Sequence, residues 1–403
     1  MATDVRDRGI AVSGDFWNHL PFDMRGDAFR ADPYAAYEEL RADGPVTSVG
    51  GVLFVTGYEA AVAVLGDPRF GLGDGALESE SFLLVDPPEH RCRRARVSGP
   101  FSARATERMR PAIRHRTSRL VREAAARGEA DVVADLAVPL ALELICSVVG
   151  VPLADRPRWY GALCGLSLAF HPPGLLEEED RASLAAARME FAHYLSVLIE
   201  ERRRVPRNDL VSALLAAGPG DMDLSERQVI TAIGQFVVAG YQPVVLQMAN
   251  GVYSLLRHPE QMERLSADPS CAPAVVEEVL RYEPSIHLIS RIALRDADVA
   301  GRHVPAGTVV AVLPAAANRD PGAFPDPGRF DVTRAGQHLS LGRGGHFCLG
   351  AHLTRVQAQA LFAELARCRP VLTGEPVVQR LSGVLWGVER LPVVVTERPP
   401  AEE

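Results

Sequence analysis

Apolar positions divide the chain into a long helical middle flanked by shorter, strand-rich stretches. Residues 33–43 (PYAAYEELRAD) predict a short amphipathic helix. Residues 46–56 hold two β-rich pieces around Gly50-Gly51, the pattern of a hairpin. Residues 58–66 return to helix, and residues 67–85 are glycine-rich and irregular. From 103 to 204 the pattern is almost continuously helical, with breaks at Gly128, around 150–155 and at 172–174. Residues 224–258 form one long helical stretch opened by an N-cap at Ser225. Pro243 inside it removes a backbone hydrogen bond and predicts a kink. Residues 304–313 and short pieces of 371–395 read as strands. The expected architecture is mainly α with a small β-rich lobe. The β-rich portions lie near 46–57, 285–313 and 371–396, and the helical lobe covers 86–283 and 348–368 of one domain, 1–403.

Composition narrows this picture. The 403 residues carry a net charge of −8, with basic and acidic positions interspersed, so nothing favours nucleic acid. Residues 1–30 read as a loosely docked lead-in, without the basic segment and apolar core of a signal peptide. The most apolar run, 132–153, is broken by Asp135, Pro139 and Glu143 and reads as a buried helix rather than a membrane span. The six cysteines show neither CxxC nor paired spacing, which argues against zinc and disulfides and for a reducing cytoplasm.

One cysteine stands apart. Cys348 sits among Gly342, Gly344, Gly345 and Gly350, just before a helical pattern. Free N–H groups and the positive end of a helix favour thiolate over thiol there. Glycines leave nothing bulky beside the sulfur. An anionic sulfur flanked in this way suits a large flat metal complex as an axial ligand. The plain alternative is a buried structural cysteine.

The ten residues Leu341-Gly-Arg-Gly-Gly-His346-Phe-Cys348-Leu-Gly350 resemble the haem-binding loop of the cytochrome P-450 monooxygenases, Phe-Gly-x-Gly-x-His-x-Cys-x-Gly. Leu341 replaces the usual Phe. Asp86-Pro-Pro-Glu-His90-Arg-Cys-Arg-Arg94 is similar to a second family element, and His90 and Arg94 share one helix face. The resemblance implies that His90, Arg94, Arg291 and His346 bind haem propionates. Arg91, Arg93 and Arg96 are expected to form a surface face for an acidic redox partner. Glu278 and Arg281, with Arg329 in FPDPGRF, resemble a buried Glu–Arg–Arg network that holds the cysteine loop.

The long helix resembles the family's distal helix, Ala-Gly-x-Asp/Glu-Thr-Thr. Ala239 and Gly240 would make room for bound O2, but Gln242 and Pro243 stand where the acid and alcohol belong. Neither can relay a proton as that pair does. Protons would then come through a substrate group, through water held by Gln242 or by the carbonyl freed by Pro243, or with peroxide as oxidant. By resemblance, Leu83, Leu84, Phe236, Val244, His287, Leu288 and Leu385 line the substrate pocket. His171 reads as an exposed loop histidine.

The resemblance runs from Pro33 to Val395 and implies a Cys348-ligated haem b that activates O2 with electrons from a ferredoxin and ferredoxin reductase. The expected reaction is hydroxylation or epoxidation of a natural-product scaffold, or oxidative C–C or C–N coupling of aromatic or cyclic-peptide substrates. A non-catalytic haem carrier or sensor, and a peroxide-using enzyme, are the alternatives.

Overall fold

A computed structural model describes residues 20–23, 26–73, 84–170, 176–216, 224–382 and 384–396. Leu83 and His171 lie outside them. The chain opens with α1 (Asp27–Ala31) and α2 (Pro33–Ala42), the latter capped by Asp32 and started by Pro33. Strands β1 (Val46–Val49) and β2 (Val52–Val55) form the expected antiparallel hairpin. Next come α3 (Tyr58–Gly66), β3 (Phe70–Gly71), α4 (Glu89–Phe101) and α5 (Ala103–Arg127).

The reading of 103–204 as nearly continuous helix needs correction. After Gly128 the chain forms a three-residue strand, β4 (Glu129–Asp131), and then a π-helical turn over Val132–Ala137. Only then does α6 (Val138–Val149) begin, at Pro139. Short strands with one hydrophobic residue carry little periodicity, and β4 exists because β12, far along the chain, pairs with it. Helices α7 (Arg156–Leu166), α8 (Glu178–Arg204) and α9 (Leu210–Leu215) follow.

The long helix is α10 (Glu226–Arg257), opened by a capping box in which Gln228 N–H donates to Ser225 Oγ and Ser225 N–H to Gln228 Oε1. It continues through Pro243 without a break. At 32 residues it spans about 48 Å. Beyond it lie α11 (Pro259–Ala267), α12 (Ala272–Tyr282), β5 (Ile289–Ala293), β6 (Ala297–Val299), β7 (Arg302–Val304), β8 (Val309–Val312) and α13 (Pro314–Ala317). The cysteine loop leads into α14 (Ala351–Ala366), and β9 (Val371–Leu372), β10 (Val378–Ser382), β11 (Leu385–Arg390) and β12 (Pro392–Val394) close the chain.

The main sheet has the order β1-β2-β8-β5-β3, and β2 runs parallel to β8. Smaller sheets join β4-β12-β9, β10-β11 and β6-β7. Two apolar clusters sandwich the main sheet, one of them under α2, while the large core surrounds α10. Two segments, Val132–Val149 and Glu226–Arg257, are long and apolar enough to cross a membrane, yet most of each is buried within this fold.

α10 is packed so closely that glycine is required at one point. A Cβ on Gly251 would lie 2.1 Å from the ring of Phe362, a buried residue of α14. We expect Gly251→Ala to lower stability by about 1–3 kcal/mol, because the ring must shift inside a filled core. Urea unfolding at fixed pH measures it.

Candidate active site

The site is built from the α12 network outward. Glu278 and Arg281 are neighbours on α12 and both are buried. Arg281 spends all five of its donors. Nε and one terminal nitrogen bond Glu278 at 2.7 Å each, and the remaining three bonds reach the carbonyls of Asn318, Pro327 and Arg329. Arg329 therefore contributes its backbone alone, and its side chain is exposed. The second arginine on Glu278 is Arg334, at 3.6 Å, which also binds the carbonyls of Pro325 and Asp326. The expectation for Arg329 is thus corrected. The irregular loop turns the fifth residue beyond it, rather than Arg329 itself, back towards α12.

This network reaches the cysteine loop through Asn318. Its Nδ2 donates to Ser340 Oγ and its Oδ1 accepts from Leu339 N–H, both buried residues. Ser340 in turn bonds the Leu280 carbonyl of α12. Leu341 accepts the Cys348 N–H at 2.8 Å, which closes the loop. Gly344 has φ +69°, and a Cβ there would sit 2.6 Å from the Leu65 carbonyl of α3, so only glycine fits. A second strut is Glu277, which takes two hydrogen bonds from Arg355 of α14 and one contact from His338. Burial raises the Glu277 carboxyl, but these bonds outweigh it and hold it at about 2.

Around Cys348 the structure gathers nitrogen donors. His90 and His346 lie with ring centroids 4.1 Å apart. Arg94 and Arg291 act electrostatically on both rings. Arg94 also donates to the Phe347 carbonyl at 2.7 Å. Burial and these mutual repulsions lower the His90 pKa and take His346 down to about 3; burial lowers both arginines. The carboxylate that acts on this group is Asp86, which itself accepts from Leu72 and Gly73 N–H. Four potential cations crowded together call for an anion between them.

Cys348 departs from the sequence reading in one respect. Burial pushes its thiol up, and the Gly350 N–H, Arg94 and Arg355 pull it back without overcoming that. A cation bound at the sulfur supplies what the helix start does not. The chemistry of these groups, a sulfur beside anion-seeking donors, fits an iron porphyrin carrying propionates.

On α10, Ala239 is exposed although its neighbours Phe236, Val237, Tyr241 and Gln242 are buried. Gly240 points elsewhere: a Cβ there would come within 2.7 Å of Ile145 of α6, so its smallness serves helix packing. Gln242 lines a cavity of about 240 Å³, with Tyr241, Cys164, Ser167 and Glu389 also on its wall.

None of the expected pocket residues among the described ones lines that cavity. Phe236 stacks on Phe101 and Val244 lies in the main core. Leu288 packs into the cluster beneath α2. His287 is buried, meets the Tyr37 hydroxyl at 3.0 Å through Nδ1 and stacks on Trp386; burial carries its pKa down to about 3. It serves an aromatic cluster, which corrects its placement against substrate. Leu385 is fully buried and bridges Ile286, and Leu84 is half-buried. The sequence reading missed Arg334, Glu277, Arg355, Asn318 and Glu389. Asn318 sits in the turn AANRDP, residues 316–321, which resembles a family turn, but its partners, like the roles of the other four, follow only from the three-dimensional path.

The profile of the family Cytochrome P450 matches residues 271–368. The chain is 38% identical over 365 residues to cytochrome P450 monooxygenase PikC of Streptomyces venezuelae, covering 85% of each chain. It is 33% identical over 405 residues to 6-deoxyerythronolide B hydroxylase of Saccharopolyspora erythraea, covering 92% of this chain and 98% of that one. The structure of CxnD, a cytochrome P450 enzyme for C–S bond formation in chuangxinmycin biosynthesis, superposes with TM-score 0.81 at 33% identity, over 92% of this chain and 96% of that one. This chain belongs to the cytochrome P450 family and is a haem-thiolate oxidoreductase, with cysteine-ligated haem b and O2 as its cofactors.

Two measurements check the struts. Arg334→Ala should cost about 1–3 kcal/mol, because it strips a partner from buried Glu278, while Arg329→Ala stays within about 0.5 kcal/mol. Chemical denaturation of both variants decides. For Glu277 the folded pKa is depressed from 4.5 to about 2, so its contribution is complete above pH 4.5 and disappears as pH falls towards 2. Stability measured between pH 6 and pH 3 should therefore drop more steeply in the native protein than in Glu277→Gln.

Proposed function

We propose that this enzyme oxidises a polar natural-product substrate by hydroxylation or epoxidation, with Cys348 as the iron ligand. His90, Arg94, Arg291 and His346 hold the haem propionates. The observation that carries the reading is the convergence of those four donors beside Cys348. When bound, the haem supplies reductive activation of O2, with the thiolate pushing electron density to the iron. The chain's own residues do the rest. The Gly350 N–H and Arg94 steady the sulfur's charge, Gly344 lets the loop lie against α3, and Arg281 fixes the loop's base. Relatives named as a monooxygenase and a hydroxylase support oxygen insertion as the outcome.

Electrons come from a ferredoxin and its reductase, and the enzyme works in the cytoplasm. The expected arginine face on α4 is reduced in the structure: Arg93 pairs with Glu89 and Arg96 bonds the Ala216 carbonyl, which leaves Arg91 exposed. A docking partner would therefore meet Arg91 together with the exposed Phe347 of the cysteine loop.

Oxidative coupling is the second reading. The C–S bond-forming relative supports the same possibility.

The decisive experiment is spectroscopic. The reduced protein with carbon monoxide should show the thiolate band, and Cys348→Ser should abolish it. With that band intact, Gln242→Glu/Pro243→Thr should lower the peroxide released per reductant consumed about twofold or more. Unchanged leakage would mean that proton supply does not pass this stretch of α10.

A further inference from the structure

We propose that Glu389 of β11 is the proton donor that α10 itself lacks. The proposal rests on the oxygen-activating reading above. Gln242 and Pro243 offer no titratable group. Gln242 nevertheless lines the cavity between α10, the π-turn and the end of α7, and Glu389 lines the same cavity from the opposite strand. Among the described residues on that wall, Glu389 carries the carboxyl group; burial and the Cys164 contact raise the Tyr241 hydroxyl, which holds its proton.

The cavity can hold water. Its volume of about 240 Å³ exceeds what one water needs, and Ser167, Tyr241, Gln242 and Glu389 supply polar partners. Glu389 is half-buried on β11, so one side of it meets solvent and can be recharged. β11 packs directly on α10: a Cβ on Gly387 would touch Asn250 Oδ1 and Leu246 Cβ, each at 2.8 Å. This contact fixes Glu389 relative to Gln242.

The step to the adjoining Ala239 face uses Pro243. Without an N–H, it leaves the Ala239 carbonyl lacking its usual donor one turn back. That carbonyl and the Gln242 amide can each hold a water, one on the exposed Ala239 side and one on the cavity side. The Glu389 carboxyl gives its proton to the cavity water. Water passes a proton along to the Ala239 side, and Glu389 regains one from solvent, so no net charge accumulates. Glu389 acts through water and is a positioning acid rather than a group touching substrate.

The test uses the full-length haem-loaded enzyme, substrate-free, with a surrogate ferredoxin and reductase. Glu389→Gln should keep the carbon monoxide spectrum of the native protein yet slow dioxygen consumption about tenfold, within what a positioned acid supplies, with a larger solvent deuterium isotope effect. Glu375→Gln, on an exposed residue paired with Arg390, is the control. A crystal structure should show ordered water joining Glu389 to Gln242. Native-like consumption and isotope effect in Glu389→Gln, or a dry cavity, would overturn the proposal. An absent thiolate band in the native protein would instead overturn the family-level reading on which it rests.

Discussion

The structure depends on one buried cation. Arg281 is almost wholly removed from water, and a guanidinium in such a place is tolerable only if every N–H finds a partner. Here all five do, across a carboxylate on the same helix and three carbonyls from two separate loops. Phe324 lies beneath the guanidinium at 5.5 Å and closes it off further. The loops therefore cannot drift without stranding a charge. Through Asn318 and Ser340 that rigidity passes to the segment that presents Cys348. The sulfur's position is thus set from behind, by groups that never approach the chemistry.

In front of the sulfur the arrangement is the opposite. Donors are crowded and underpaid, and histidines are driven towards neutrality by burial and nearby arginines. Such a cluster gains from binding an anion what the α12 network gains from internal pairing. The α10 side is different again, apolar and closely packed, with its smallest residues used to admit Ile145 and Phe362. Rigid support, an anion-seeking rim and a donor-poor helix thus meet at one site.

The sequence made the cysteine loop legible because its glycines and histidine have fixed local spacing, and a local backbone conformation needs them. The long helix was legible for the same reason: its cap, apolar face and length are all local. Arg334 was not, because Arg329 sits in the expected motif and only the loop's path decides which guanidinium turns inward. His287 was misplaced because an extended segment offers two faces, and Tyr37 and Trp386, remote in sequence, chose between them. β4 escaped because three residues hold no period and its partner is β12. Glu389 carries no local mark at all.

The parallel pairing of β2 with β8 has a consequence for how the protein is made. Val55 meets Val312, and nearby Tyr37 reaches His287 across 250 positions of chain. At roughly 5–20 residues per second on the ribosome, the amino-terminal hairpin emerges tens of seconds before its central neighbour exists. During that interval β2, whose four residues are all buried in the finished fold, is an unpaired apolar edge. The order of synthesis therefore leaves the first hairpin waiting for its central neighbour while most of the chain is translated.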